Sequence, residues 1–143
     1  MKIIIPCGSK KTKNQSKPKD LYVGSYHKAC ARWATSVAPD NDIFILSAKH
    51  GFLPYESEQL IEPYNLSFKD KNYVNQSILN QQAHSLNIKT AIVLGGKDYA
   101  LRARLAIRYI KTLNDFARLD NFGLGRQMQF LNNNNGVKFW HES

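Results

Sequence analysis

Apolar residues along the chain fall into two kinds of run. Blocks at residues 2–5, 42–47 and 90–94 are rich in isoleucine and valine and show no polar alternation. That is the pattern of strands buried on both faces. Between them the apolar spacing widens to threes and fours. Tyr22, Tyr26, Ala29, Cys30, Trp33, Ala34 and Val37 form one stripe of an amphipathic helix that stops near Pro39. A weaker helix is predicted over 70–86, with Val74, Ile78, Ala83 and Leu86 inward. Another, over 97–112, would bury Ala103, Ala106, Ile107 and Ile110 and set Lys97, Arg104, Arg108 and Lys111 on its opposite side. That basic side reads as a solvated face or as a track for phosphates. "AKHGFLPYE" (48–56) reads as a loop and "GLGRQMQFL" (123–131) as a turn into a short helix. "NNNNG" (132–136) is a tight-turn signal before "VKFW".

Strands that alternate with helices imply crossover connections and a mostly parallel sheet covered on both faces. The expectation is one α/β domain over residues 1–143, built as a three-layer sandwich. In such sheets ligands bind beyond the carboxyl ends of the strands. Three loops would then share one rim: "PCGSKK" (6–11), "SAKHGF" (47–52) and "GGKDY" (95–99). All three carry glycine and lysine directly after a buried strand. Glycine allows close backbone approach, and loop N–H and ammonium groups suit a phosphate or an anionic base.

Charge sharpens the picture. Twenty Lys and Arg against eleven Asp and Glu give +9, and residues 8–19 alone contribute five lysines and no acid. Such an excess attracts polyanions, so nucleic acid, DNA first, is the expected partner. The 43% hydrophobic and 22% charged fractions are those of an ordinary globular chain. The N-terminal apolar run is too short for a membrane span or a signal peptide, so no membrane association is expected. Cys7 and Cys30 make neither a disulfide framework nor a zinc spacing. The expected setting is cytoplasmic, with reduced thiols and no metal. Neither GxxxxGK[ST] nor a strand-following GxGxxG is present, which argues against a dinucleotide or P-loop cofactor; none is expected.

Several rim residues could do chemistry. His27 lies off the helix stripe, two residues past Ser25, and His50 sits beside Lys49, whose charge would favour a neutral imidazole. Carboxylates are scarce. Glu62 lies in "IEPYNL" between apolar residues, and Asp98 follows Gly95 and Gly96; either could be a general base or an ion-pair partner for a rim lysine. Cys7 could be a reactive thiol or a small buried apolar residue. Tyr64 and Tyr99, interleaved with lysines, suit base stacking, as Gly8, Ser9 and Lys10 suit backbone and phosphate contacts. Arg126 in the late "GLGRQ" turn is a further candidate contact.

These motifs also carry a resemblance. "IIPCGSKK", "LYVGSYHKACARWA", "FILSAKHGFL", "IEPYNLSF", "VLGGKDY" and "GLGRQMQFL" resemble, from about residue 3 to 131, a family of small bacterial and phage proteins of unassigned function. More distantly, Pro6-Cys7 followed by Lys11, with Ser25 and His27 beyond, is similar to the lysine-bearing motif of archaeosine synthase, whose domain is uracil-DNA-glycosylase-like. That motif has Lys-Pro-Tyr and Ser-x-x-His, where this chain has Lys11-Thr12-Lys13 and a one-residue gap. The resemblance implies a glycosylase-like fold and chemistry on a nucleobase. The leading expectation is a DNA glycosylase that hydrolyses the N-glycosidic bond of a modified, flipped base. His27 or a rim lysine would meet the leaving-group charge, while Glu62 or Asp98 steers water. The alternatives are a transferase acting on a modified base, with Lys11 as nucleophile, and a non-catalytic nucleotide-binding module.

If the charge serves nucleic acid, affinity for a DNA duplex should fall steeply between low and physiological salt, as released counterions require. Charge reversal at Lys10, Lys11 and Lys13 should lower affinity and leave the fold intact. A salt-independent affinity in a fluorescence titration would rule out phosphate neutralisation.

Overall fold

The chain is described by a computed structural model over residues 1–112 and 130–132. Its centre is a five-stranded sheet in the order β3-β2-β1-β4-β5. Strand β1 (Lys2–Pro6) pairs in parallel with β2 (Ile43–Ser47) on one side and with β4 (Thr90–Val93) on the other. Beyond β4, β5 (Tyr109–Thr112) is also parallel, whereas β3 (Gly51–Pro54) runs antiparallel to β2.

The lack of polar alternation in β1 follows from its place. Ile3 and Ile5 pack on one face with α2 (Ser25–Val37), and Ile4 packs on the other with α3 (Gln76–Ser85) and α4 (Lys97–Ala106). All three isoleucines are fully buried. The neighbouring strands repeat the division: Ile43, Ile45 and Ile92 face the α2 side, while Phe44, Leu46, Ala91 and Val93 face α3 and α4. The fold is therefore α/β, a mostly parallel sheet flanked by helices on both faces. Lys2 and Asp42 pin the starts of β1 and β2 with a 2.8 Å ion pair.

Several elements depart from the sequence expectation. The helix predicted from Tyr22 is α2 and starts at Ser25, and Tyr22 instead forms an antiparallel bridge with Lys11. From Ala29 to Val37 the predicted stripe is the buried face. Helix α3 begins only at Gln76, because the Asn75 side chain accepts from Ile78 N at 3.0 Å and caps it there. Val74 and Ala83 are buried and Leu86 packs on the core as predicted, but Leu79 takes the inward place expected of Ile78, which is exposed. Helix α4 ends at Ala106, and Arg108, Ile110 and Lys111 belong to the turn and to β5. Over so short a window, steps of three and four do not separate a helix from a turn into a strand. Residues 51–54, expected as loop, form β3. Gly51 there has φ +75°, and a Cβ would collide with the Gln82 side chain, which accepts from Phe52 N at 2.8 Å and donates to His50 O at 2.8 Å. The predicted segments 123–129 and 133–140 lie outside the described residues.

The α3 register is open to a direct comparison. Leu79→Ala should cost about 2–5 kcal/mol of stability. Ile78→Ala should cost less than about 1 kcal/mol. Urea unfolding of the two variants reads this, and the opposite ranking would overturn the register.

Candidate functional site

Because β1, β2 and β4 are parallel and adjacent, their carboxyl ends deliver Pro6–Cys7, Ser47 and Leu94–Gly95 to one edge of the sheet. Two glycines set the approach. Gly8 has φ +77°, so the chain reverses immediately after Cys7. Gly95 has φ +119°, and a Cβ there would press on Tyr99 and on Pro6 at 3.2–3.3 Å. That contact brings the loop after β4 against the end of β1 and carries Tyr99 to Cys7, with Sγ 3.5 Å from the Tyr99 hydroxyl.

The lysine-rich stretch is no solvated tail. Thr12 N donates to Leu21 O at 2.9 Å and Val23 N to Lys10 O at 3.0 Å, so residues 10–23 fold back on themselves around the short helix α1 (Pro18–Leu21). Ser16 and Ile61 exchange backbone hydrogen bonds of 3.0 and 2.8 Å, which ties this excursion to the segment bearing Tyr64. The five lysines separate as a result. Lys10, Lys13 and Lys19 are exposed, Lys17 pairs with Glu58 at 2.5 Å, and Lys11 turns inward.

Lys11 is the focus. Its Nζ lies 4.2 Å from the Tyr64 ring centre and 5.6 Å from that of Tyr22. It donates to the carbonyls of Ser9 at 3.3 Å and Gly8 at 3.5 Å. Among the described residues no carboxylate pairs with it. Burial lowers its pKa, opposed by the nearby Cys7 thiol. Tyr64 is also faced by Lys49, 5.8 Å from its ring centre, and by the His50 ring at 5.4 Å, edge to face. Burial, helped by the Lys49 charge, holds His50 neutral at physiological pH.

Beneath the rings runs a chain of hydroxyls. Ser47 Oγ lies 2.5 Å from Tyr64 Oη, which lies 2.6 Å from Tyr22 Oη. The backbone N–H groups of Lys49 and His50 donate to the same Ser47 oxygen at 3.2 and 3.0 Å. Burial raises the pKa of Tyr22 to about 12 and raises those of Tyr64 and Tyr99 further, so all three are neutral donors at neutral pH.

Of the residues expected at the rim, Cys7, Gly8, Ser9, Lys11, Lys49, His50, Tyr64, Gly95 and Tyr99 do meet there. Lys10 contributes its carbonyl to the fold-back, and its side chain is exposed, as is Ser25 at the start of α2. Gly96 caps α4. Three expectations need correction. His27 is not on the surface. It is 3% exposed because position 27 lies near Ala34 on the flank of the buried stripe, where the Gly8 loop covers it. Its Nδ1–H donates to Pro6 O at 2.7 Å, its Nε2 has no partner, and burial lowers its pKa. Glu62 is exposed, with no hydrogen bond or ion pair among the described residues. Its neighbours Ile61 and Tyr64 turn inward instead. Asp98 is half-exposed, and its nearest cation is Arg102, 3.7 Å away one helical turn on and not part of the rim. Arg126 lies outside the described residues.

Two residues take a larger part than the sequence assigns them: Tyr22, which lies on the predicted helix stripe as well as beside the basic loop, and Ser47, which opens the "SAKHGF" rim loop. A hydroxyl that ends a fully buried strand at the ligand-bearing edge is itself a signal. No cluster of three or more His, Cys, Asp or Glu side chains suited to a metal occurs among the described residues, and no helix there is long and apolar enough to cross a membrane.

No curated protein and no solved structure matches the chain. The sequence profile of a family of unknown function (DUF6884) matches residues 3–133, nearly the whole chain, and the chain belongs to that family.

Proposed function

We propose that the protein is an enzyme that processes a modified base in nucleic acid, with the Lys11 amine as nucleophile. One observation carries this reading: a half-buried lysine held over two tyrosine rings at the ligand edge of a mostly parallel sheet, hydrogen-bonded among the described residues to carbonyls. A lysine meant for an ion pair faces a carboxylate. One meant for nucleophilic attack is desolvated so that its neutral form is accessible at working pH. The exposed Lys10, Lys13 and Lys19 would hold the phosphate backbone, and a flipped base would seat against the aromatic rings.

The position of the attacked carbon separates two outcomes. Attack at the sugar carbon would release the base and make the protein a DNA glycosylase. Attack on the base itself would make it a transferase that adds or exchanges a group. With Glu62 and Asp98 both outside the contacts around Lys11, direct activation of water by a carboxylate is the less supported route, and the amine favours a covalent intermediate. The parallel sheet and the Pro6-Cys7, Lys11 and His27 positions support kinship with the uracil-DNA-glycosylase-like domain of archaeosine synthase. Two buried free thiols, Cys7 and Cys30, support a reducing, cytoplasmic setting.

The test is incubation with DNAs that carry different modified bases, followed by borohydride reduction and mass spectrometry of protein and DNA. The expected result is a covalent adduct on the Lys11 peptide together with free base or an altered base. Lys11→Ala should reduce turnover at least about a hundredfold, whereas Glu62→Gln and Asp98→Asn should stay within about threefold of the parent. Tight nucleotide binding with no adduct and no change in the DNA would instead identify a binding module.

A further inference from the structure

Arg102, on α4, is a cation taken largely out of water and short of an anion. Its side chain is 11% exposed. The guanidinium carbon lies 4.3 Å from the Tyr73 ring centre and 4.5 Å from that of Phe68, in the corner between two rings tilted by 68°. Nη1 is used: it donates to Asp98 O at 3.0 Å. The half-exposed Asp98 carboxylate stands 3.7 Å from the same nitrogen. Nε is buried without a partner, and Nη2 makes no hydrogen bond among the described residues. A guanidinium cannot shed its charge on burial as an ammonium can, so its desolvation is left for an opposite charge to offset. The ring faces return part of that cost. Asp98 returns little, because it is beyond hydrogen-bond reach and water screens it.

The surroundings are built and open. Arg102 lines a groove of about 350 Å³ with Lys71, Tyr73, Gln76, Leu101 and Leu105. Its walls are tied together. Gln76 Nε2 donates to Arg102 O at 3.1 Å, which joins α3 to α4, and Val74 N donates to Ala48 O at 2.6 Å, which anchors the segment bearing Tyr73. Lys71 is exposed, with no hydrogen bond or ion pair among the described residues. Leu101 and Leu105 are exposed as well, so two cations face the groove beside an apolar wall. A carboxylate brings a single negative charge, which Asp98 already offers. A phosphate monoester brings about two, on three strong acceptor oxygens, and so matches a fixed guanidinium and an exposed ammonium together. The volume leaves room for one small organic body against the leucines.

We propose that this groove binds a nucleoside monophosphate unit, with the phosphate on Arg102 and Lys71 and the nucleoside along Leu101 and Leu105. A free mononucleotide and the 5′-phosphorylated end of a nucleic-acid strand present the same chemistry. The groove shares no lining residue with the surroundings of Lys11, and the proposal does not rest on that amine being a nucleophile.

Nuclear magnetic resonance on ¹⁵N-labelled protein tests it. The probes are AMP, adenosine, inorganic phosphate, and two short DNA strands that differ only in a 5′-phosphate. The Arg102 Nε–H signal, identified by its loss in Arg102→Lys, reports this groove and not the Lys11 edge. AMP should shift it saturably, and adenosine should bind at least about tenfold more weakly. A preference of the same size for the phosphorylated strand assigns the site to strand ends; equal response to both strands, with AMP bound, assigns it to free nucleotide. Lys71→Gln, a surface change, should weaken AMP several-fold, and Arg102→Lys, which keeps the charge and loses the planar fork, at least about tenfold by the backbone signals of the groove. No shift with AMP, equal affinity for adenosine, or unchanged affinity in Lys71→Gln overturns the site. Inorganic phosphate that binds as tightly as AMP overturns the nucleoside and leaves an ion site only. A glutamate-rich peptide that shifts the signal more strongly than AMP overturns the choice of phosphate.

Discussion

Everything in this structure hangs from the double burial of β1. Three consecutive isoleucines, each without solvent exposure, require apolar cover above and below and a hydrogen-bonded strand on either side. That demand places α2 on one face, α3 and α4 on the other, and β2 and β4 on either side of it. Once the strand is enclosed, its exit is the only direction left, and the chain leaves the core at Pro6–Cys7. Backbone polarity there is settled locally: His27 donates to the Pro6 carbonyl, and Leu94 N donates to Ile4 O at 2.8 Å. The rim is thus a by-product of satisfying a buried strand end, which explains why its geometry is shared among loops far apart in sequence.

The same constraint decides what was legible in the sequence. The three apolar blocks sit in the sheet core because fully buried strands leave an unambiguous trace, and the convergence of their following loops then comes from topology alone. Edge elements left no such trace. In β5, exposed and half-buried residues alternate over only four positions, and β3 depends on Gln82 filling the space that Gly51 vacates. The α3 register turned on a single cap, Asn75, whose influence on Ile78 and Leu79 exceeds that of the apolar spacing around them.

Within the site, residue type was a good guide and side-chain direction was not. Lys11, Cys7, His50 and Tyr64 stand where the loops suggested. His27 and Glu62 exchanged environments: the histidine went in and the carboxylate stayed out. A shift of a helix start by three residues, Tyr22 to Ser25, accounts for the release of Tyr22 into the site, while the Pro6–Gly8 turn closes over His27 on the flank of the stripe. For Glu62, the two-way backbone pairing of Ile61 with Ser16 fixes which neighbours face inward. Both outcomes depend on hydrogen bonds between segments that are distant in sequence, a level that periodicity does not reach.

The charge of +9 acquires a structure of its own when the lysines are separated by environment. Exposed cations such as Lys10, Lys13 and Lys19 contribute little to stability, because water screens them, and they sum to a positive field around this stretch. Lys11 comes from the same stretch, yet burial and aromatic neighbours make its protonated form costly. The aromatic faces return part of that cost through cation–π attraction. A solvated surface charge and a desolvated amine packed on aromatic rings are different environments for one residue type. The backbone fold-back from Lys10 to Val23 is what divides them, by holding Lys10 out and turning Lys11 in.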